Sequence, residues 1–321
     1  MKKRVIVIGA GYAGLSMAAF LASRGHEVEV LEKNPEIGGR ARLWEDKGYK
    51  FDMGPSWYLM PEVFERFFKL FGKDINDYLT IHKLKTYYKV FYEGHEPVRI
   101  TEDFEKTKAL FESFEPNGAK KLVSYMEKAE YKYKTAMSEF VYKEYKSIFD
   151  FFNWKILTEG LKLDIFATLD SFVRKYFTDI CARQILEYAM VFLGASPANA
   201  PALYSIMSHV DLKLGVWFPK GGMNAVAQAI AKLATEHGAK VRTGIEVKKI
   251  LVENGRAVGV LTDEGTLPAD LVINSGDYAW GETKLLEPEY QTYKPRFWEK
   301  RTMAPSMFIV YLGGEKEASL P

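Results

Sequence analysis

The first residues of the chain combine two hydrophobic periodicities. Residues 4–8 end in four consecutive β-branched residues, a pattern typical of a parallel strand that is buried on both faces. In the stretch that follows, Leu15, Ala18 and Ala22 recur three or four residues apart, so they share one face of a predicted helix. Val28, Val30 and Leu31 then supply the apolar positions of a second predicted strand. The order of strand, helix and strand predicts a βαβ unit at the N-terminus.

The turn between the first strand and the helix has the sequence Gly-Ala-Gly-Tyr-Ala-Gly, residues 9–14. Gly9 permits the tight turn, Gly11 lets the backbone approach a pyrophosphate, and Gly14 lets the helix pack closely on the strand. The N-terminus of the helix adds free N–H groups and partial positive charge. Glu32 closes the second strand about 20 residues further on, where a carboxylate accepts hydrogen bonds from ribose hydroxyls. This context predicts dinucleotide binding, and the acid disfavours a 2′-phosphate because two negative charges would face each other.

A second pair of glycines, Gly38 and Gly39, precedes Arg40. Adjacent glycines let the backbone come close to a ligand, and an arginine can fork onto phosphate oxygens. A solvated arginine on an exposed turn is the alternative, but the position directly after a nucleotide-binding unit favours the phosphate contact. Residues 48–57 then predict a short strand that enters a Gly-Pro turn.

The middle of the chain has a different composition. Residues 86–92 and 98–101 flank a Gly-His turn and are rich in β-branched and aromatic residues, which predicts a hairpin. From residue 102 to about residue 209 the pattern is mostly helical, and aromatic residues recur throughout. Some of these aromatics could line an apolar substrate tunnel or dock on a membrane surface, although aromatic side chains more often pack in a core. The aromatics concerned are Phe149, Phe151, Phe152 and Trp154.

The last third of the chain returns to an α/β pattern. Residues 225–236 are strong helix formers, and residues 247–252 and 257–262 predict two strands joined by an Asn-Gly turn. Residues 270–274 predict a parallel strand that rejoins the first sheet, and residues 307–312 predict the beginning of another strand.

Composition and charge exclude several classes of function. A chain of 321 residues exceeds the usual size of a single core, so we expect about two domains. With a net charge of +2 and a pI near 8.3, the chain lacks the excess of basic residues that is typical of nucleic-acid-binding proteins, so we expect no nucleic-acid partner. The single cysteine, Cys181, cannot form an internal disulfide, and the absence of an internal disulfide suits the reducing cytoplasm. Its side chain is expected to pack in the core. The five histidines show no metal-ligand spacing, so no metal site is expected.

The basic N-terminus and the apolar residues after it imitate a signal peptide. The glycine turn within this stretch and Glu32 beyond it are better explained by the βαβ unit. No run of about 18 apolar residues follows, so no transmembrane helix is predicted.

Two segments of the chain carry the motifs of a known protein family. The opening GAGYAGLSMAAFLASRGHEVEVLEKNPEIGGRARLWEDKGYKFDMGPS and the later segment WFPKGGM, residues 217–223, resemble the bacterial-type phytoene and dehydrosqualene desaturases of the flavin amine oxidase-like superfamily. The resemblance implies an α/β fold, with a three-layer, Rossmann-like FAD-binding domain around a parallel sheet and an inserted α+β, largely helical substrate domain. Members of that family continue well beyond the position of Pro321, so we expect the chain to be truncated at its C-terminus relative to them.

The resemblance also implies a division of the chain. The FAD-binding domain is expected in two parts, residues 1–80 and 213–290, with the substrate domain over residues 81–212 between them. Residues 291–321 are expected to begin a strand that returns to the substrate domain.

FAD is the cofactor that the resemblance implies. The glycine turn is expected to hold the diphosphate, Glu32 the adenosine ribose and Arg40 a phosphate, with the flavin ring system near Gly54 and Pro55. Val247 matches a position whose backbone touches the adenine, although an ordinary strand valine is an equal alternative. The full expected set is Gly9, Ala10, Gly11, Ala13, Gly14, Glu32, Lys33, Gly38, Gly39, Arg40, Gly54, Pro55 and Val247.

The implied reaction is desaturation of a long isoprenoid, such as phytoene or a dehydrosqualene-like carotenoid precursor, by hydride transfer to flavin N5. A redox-neutral cis-trans isomerase of polyenes and a non-catalytic prenyl- or lipid-binding protein are the alternatives on the same fold. An amine oxidase or protoporphyrinogen oxidase is disfavoured by the Phe-Pro-Lys-Gly-Gly-Met segment. No catalytic acid or base is assigned. The expected partner is a lipophilic isoprenoid, with peripheral contact to a membrane from the cytoplasm and an unassigned oligomeric state.

Overall fold

A computed structural model describes residues 1–94, 96–147, 164, 166–304 and 306–314 of the chain. Contacts between Cα atoms divide the chain into two compact units. Among the described residues, the first unit takes in residues 1–82, 218–303 and 307–314, and the second takes in residues within 83–217 together with 304 and 306.

The strands in chain order are β1 (Arg4–Ile8), β2 (Glu27–Glu32), β3 (Leu43–Asp46), β4 (Tyr49–Asp52), β5 (Ile81–Lys83), β6 (Thr86–Val90), β7 (Val98–Thr101), β8 (Trp217–Pro219), β9 (Lys240–Thr243), β10 (Val247–Glu253), β11 (Arg256–Thr262), β12 (Gly265–Pro268) and β13 (Leu271–Asn274). The helices are α1 (Tyr12–Ser23), α2 (Pro61–Lys69), α3 (Phe104–Phe114), α4 (Gly118–Thr135), α5 (Leu169–Val173), α6 (Ile180–Glu187), α7 (Ile206–His209), α8 (Asn224–Glu236), α9 (Tyr278–Trp280) and α10 (Pro295–Glu299). Turns of π-helix, Ala136–Phe140, Val210–Leu214 and Gly281–Leu285, extend α4, α7 and α9.

The first unit is built on a parallel sheet with the strand order β13-β1-β2-β9. Strand β1 is central because its β-branched run is buried on both faces. Ile6 and Ile8 belong to a core cluster with residues of β10 and β11, while Val5 and Val7 point to the opposite face. Helices α1 and α8 pack against each other, and α1 packs on β1. The helices, the parallel sheet and the antiparallel β10–β12 meander form the three layers, which confirms the predicted α/β class.

The division of the chain differs in detail from the expected one. The boundaries between the units along the chain fall at residues 82/83 and 217/218, a few residues beyond the expected boundaries of 80/81 and 212/213. Residues 291–303 group with the first unit and not with the second, because Tyr293 and Trp298 pack on Tyr278 after β13.

The prediction of a strand over residues 307–312 is wrong for this structure. Residues 306–314 carry no regular element, and no strand pairs with them among the described residues. Instead the ring of Tyr311 lies 5.2 Å from the rings of Trp44 and Phe51, and Tyr49 donates to the carbonyl of Gly314 (2.9 Å). Ring packing on the β3–β4 hairpin therefore replaces strand pairing for this segment.

The second unit contains the predicted hairpin and the predicted helices. Strands β6 and β7 pair antiparallel, which confirms the hairpin. Asp103 is the N-cap of α3, and its side chain accepts from the N–H of Glu105 (3.0 Å). Asp179 is the N-cap of α6, and its side chain accepts from the N–H of Ala182 (2.9 Å). The core is aromatic, since the buried rings of Phe111 and others pack edge to face. Phe149, Phe151, Phe152 and Trp154 lie outside the described residues. Within the described residues, no helix is long and apolar enough to cross a membrane.

Candidate functional site

The glycine turn, residues 9–14, joins β1 to α1 at the carboxyl end of the parallel sheet. Gly9 has a φ of +96°, and its N–H donates to the carbonyl of Leu31 on β2 (2.8 Å). A Cβ on Gly14 would lie 2.0 Å from the carbonyl oxygen of Gly9, so the helix can approach the turn this closely only without a side chain there. Gly11 is the N-cap of α1 and offers no side-chain cap. The first N–H groups of α1 are therefore open to an anionic ligand.

The Gly-Gly-Arg turn, residues 38–40, lies against the glycine turn. The N–H of Gly38 donates to the carbonyl of Ala10 (2.8 Å). A Cβ on Gly39 would lie 3.1 Å from the Cα of Gly11. The structure thus brings together two glycine motifs that the sequence separates, as expected for two loops that enclose one ligand.

Arg40 and Gly54 meet through their backbones. The side chain of Arg40 is exposed, which leaves its guanidinium available to a phosphate. A Cβ on Gly54 would lie 2.3 Å from the carbonyl oxygen of Arg40, so Gly54 and the exposed Pro55 pass directly beside the Gly-Gly-Arg turn. The requirement for glycine at position 54 is therefore close backbone packing.

Glu32 lies at the end of β2 and is only 5% exposed. Its Oε2 accepts from the N–H of Ala10 (2.8 Å), and its Oε1 accepts from the N–H of Asn34 (3.0 Å) and from the Asn34 side-chain amide. A carboxylate offers about four lone-pair positions, so one acceptor position remains for a ligand. The carboxylate faces the glycine turn and stabilises it, a role that sequence reasoning missed.

Three further expected residues lie around these turns. Ala13 is exposed on the first turn of α1. Lys33 is exposed, with its Nζ 5.7 Å from the ring centroid of Trp280. The side chain of Val247 is 3% exposed and belongs to the core cluster, so a contact between this residue and adenine would have to come from its backbone. Trp280 is an additional aromatic residue beside Lys33, and nothing in its local sequence indicated it.

Residues outside the expected set hold the turns in place. Tyr12 donates to the carbonyl of Met223 (2.9 Å). Ser275, which follows β13, donates to the carbonyls of Ile8 (2.8 Å) and Gly9 (3.1 Å). These bonds connect positions more than 200 residues apart, which is why no local pattern could reveal them.

We call the glycine turn, Glu32 and the Gly-Gly-Arg turn together the cradle. The cradle fits an adenine dinucleotide: an uncapped helix N-terminus for the diphosphate, close backbone packing that leaves no space for a side chain at Gly14 and Gly38, and a carboxylate with one acceptor position left. No cluster of residues able to hold a metal ion occurs among the described residues. The fold and the cradle define a Rossmann-like dinucleotide-binding protein.

Comparison with known proteins narrows this class. A family profile described as flavin-containing amine oxidoreductase matches residues 12–313. The chain belongs to this family of flavin-containing proteins, which agrees with the expected FAD cofactor.

The chain is also similar to individual proteins. It is 40% identical to a carotenoid 3,4-desaturase of Haloarcula japonica, over 97% of this chain and 63% of that protein. It is 32% identical to a zeta-carotene-forming phytoene desaturase of Myxococcus xanthus, over 97% of this chain and 60% of that protein. The chain therefore spans about three fifths of the length of these curated relatives. A solved structure of a protein from Pyrococcus furiosus shares the fold, with a TM-score of 0.60 and 21% identity over 92% of this chain and 64% of that one.

Proposed function

We propose that the protein is an FAD-dependent oxidoreductase that desaturates a long, lipophilic isoprenoid polyene. The observation that carries the proposal is the cradle, in which two glycine turns in contact and a buried carboxylate form a dinucleotide site. The names of the similar proteins, a carotenoid 3,4-desaturase and a phytoene desaturase, support the substrate class.

Each part of the cradle has a role in this proposal. The N–H groups at the start of α1 and the guanidinium of Arg40 bind the diphosphate oxygens. The fourth acceptor position of Glu32 receives a ribose hydroxyl. Gly54 and Pro55 let the backbone lie close to the ring system. Lys33 and the backbone of Val247 complete the adenosine end.

When bound, FAD supplies a flavin whose N5 accepts a hydride from an allylic C–H, while a proton leaves the neighbouring carbon. The polyene itself stabilises the positive charge that develops at the allylic carbon, so the protein mainly contributes positioning and an apolar environment. The proton that leaves the substrate needs an acceptor, and we assign this role to no residue of the described chain.

A substrate of this kind dissolves in a bilayer, so we propose peripheral contact between the protein and a membrane, on the cytoplasmic side. The single cysteine, Cys181, is a buried free thiol, which is compatible with a reducing compartment. Flotation with liposomes tests the contact: the protein should rise with the vesicles, and recovery only in the dense fraction would contradict it.

The experiment that tests the function is conversion of phytoene in liposomes by the protein expressed from its full reading frame and supplied with FAD and an electron acceptor. Mass spectrometry should show the loss of two hydrogen atoms for each new double bond. Conversion to an isomer of unchanged mass would favour a polyene isomerase. Retention of unchanged polyene by a protein that binds no flavin would favour a lipid-binding protein. Either outcome overturns the desaturase proposal.

A further inference from the structure

The start of α8 is hydrogen-bonded to three parts of the first unit: the end of β4, the first turn of α1 and the residues that flank the Gly-Gly-Arg turn. The carboxylate of Asp52, at the end of β4, accepts from the N–H of Met223 (2.9 and 3.0 Å) and from the N–H of Asn224 (3.4 Å). It thereby caps α8 from a strand some 170 residues earlier in the chain. Gly222 has a φ of +87°, and a Cβ there would lie 2.8 Å from an oxygen of Asp52. With the bond from Tyr12 to Met223 (2.9 Å), this junction is connected to both α1 and β4.

The side chain of Asn224 connects the same junction to the Gly-Gly-Arg turn. Its Nδ2 donates to the carbonyls of Ile37 (3.0 Å) and Ala41 (2.9 Å), which flank the turn on either side. Asn224 is 7% exposed, so both amide hydrogens are used in a site with little access for water. A Cβ on Gly38 would lie 2.6 Å from this Nδ2, so the absence of a side chain at position 38 is what admits the amide.

The orientation of the Asn224 amide is itself determined. Gln228, one turn further along α8, donates from its Nε2 to the Oδ1 of Asn224 (3.1 Å). If the Asn224 amide were flipped, its oxygen would face two backbone carbonyl oxygens, and both of those hydrogen bonds would be lost. The arrangement of Gln228, Asn224 and the two carbonyls is therefore a directed chain of hydrogen bonds.

We propose that Asn224 is a positioning residue for FAD, which holds the Gly-Gly-Arg turn in its ligand-binding shape without contacting the cofactor. The inference rests on the proposed use of the cradle by FAD. Gly38 and Gly39 both have positive φ, +117° and +57°, and glycine backbones lose much conformational freedom when they are ordered. The two bonds from Asn224 limit that freedom before the ligand binds. Less conformational entropy is then lost on binding, so the affinity for FAD is higher.

The test is titration of FAD into deflavinated protein, followed by flavin fluorescence, for the wild type and Asn224→Ala. We expect Asn224→Ala to weaken FAD binding about ten-fold, equivalent to about 1.4 kcal/mol. The matched control is Thr235→Gly, an exposed position near the end of the same helix, where glycine destabilises α8 without contacting the turn. We expect this control to lower the melting temperature and to leave the affinity for FAD unchanged.

A second variant, Asn224→Asp, separates positioning from general stability. Its ionised carboxylate would face the carbonyls of Ile37 and Ala41, whereas its protonated form can donate one bond. The affinity of Asn224→Asp relative to the wild type should therefore recover as the pH is lowered from about 8 to about 5, past a carboxyl pKa that such surroundings raise. Neither the wild type nor Thr235→Gly should show such a recovery.

Each outcome supports or overturns one claim. If the wild type binds no FAD, the proposed function fails. If the wild type binds FAD and Asn224→Ala and Asn224→Asp stay within two-fold of it, the positioning role fails alone. Equal weakening by Asn224→Ala and Thr235→Gly also overturns it, because the effect would then be one of helix stability. Should Asn224→Ala not fold, Gln228→Ala at an exposed position replaces it, with an expected weakening of two- to five-fold and unchanged affinity as the contrary result.

Discussion

Replacement of Glu32 by glutamine tests the cradle with the smallest change in shape. The variant keeps one carbonyl oxygen and exchanges the other oxygen for an NH₂ group. That group must face either the N–H of Ala10 or the amide groups of Asn34, all of which are donors. At least one charge-assisted hydrogen bond is lost, and a bond of this kind contributes about 1.5–3 kcal/mol.

The same magnitude sets an upper limit on the expected change in affinity. If the whole loss of about 1.5–3 kcal/mol fell on the bound state, the dissociation constant for FAD would rise ten- to hundred-fold. Part of the loss reaches the ligand because the carboxylate both stabilises the glycine turn and has its remaining acceptor position free. The free energy of unfolding of the apoprotein should also fall, since the bond to Ala10 exists without the ligand.

The assay is fluorescence titration of FAD into deflavinated protein, with urea unfolding of the apoprotein measured in parallel. Glu27→Gln is the matched control, because Glu27 is exposed at the opposite end of the same strand. The control should bind FAD as the wild type does. An unchanged affinity for FAD in Glu32→Gln would refute the ribose role, even if the unfolding free energy fell.

Three further substitutions test the close packing of α1 and the contributions of two buried carboxyl groups to stability. Gly14→Ala places a Cβ 2.0 Å from the backbone of the glycine turn, so we expect FAD affinity to fall more than ten-fold in the same titration, and normal binding would contradict the close packing of α1. Burial would raise the pKa of Glu115, but hydrogen bonds from Lys121 and from the N–H groups around residue 178 outweigh it and lower that pKa to about 2. Glu115 therefore stabilises the fold above its unfolded pKa of about 4.5, and Glu115→Gln should cost about 1.5–3 kcal/mol in urea unfolding at neutral pH; a deficit that does not shrink as the pH falls towards 2 would contradict this. Burial raises the pKa of Asp211 to about 6 although tyrosine hydroxyls such as that of Tyr88 donate to it. The wild type should therefore lose stability relative to Asp211→Asn, by on the order of 2 kcal/mol, as the pH rises from 4 through 6, and parallel stability curves over that range would refute the shift.

Local constraints explain why the first half of the site could be predicted. Gly9, Gly14 and Glu32 act within one βαβ unit, where the requirement for a tight turn, a close helix and an acid at the end of a strand follows from neighbouring residues. Strand β13 could be predicted as well, because its apolar run needs only a place beside β1.

The parts that could not be predicted depend on distant partners. The bonds from Asn224 to Ile37 and Ala41 join positions more than 180 residues apart, and a single asparagine after a glycine pair has no periodicity to reveal them. Residues 307–312 have a strand-like composition, yet a strand also needs a neighbour, and here Tyr311 packs on aromatic rings instead. The exposed Trp280 beside Lys33 likewise follows from the position of α9 after β13.

Binding of FAD in the cradle is tested most directly by competition during FAD titration of the deflavinated wild type. In the proposed function, the cradle recognises the adenosine diphosphate half of the cofactor through the N-terminus of α1 and Glu32. We predict saturable binding of one FAD per chain, displaced by ADP and not by riboflavin. Absence of saturable binding, or displacement by riboflavin but not by ADP, would contradict the account.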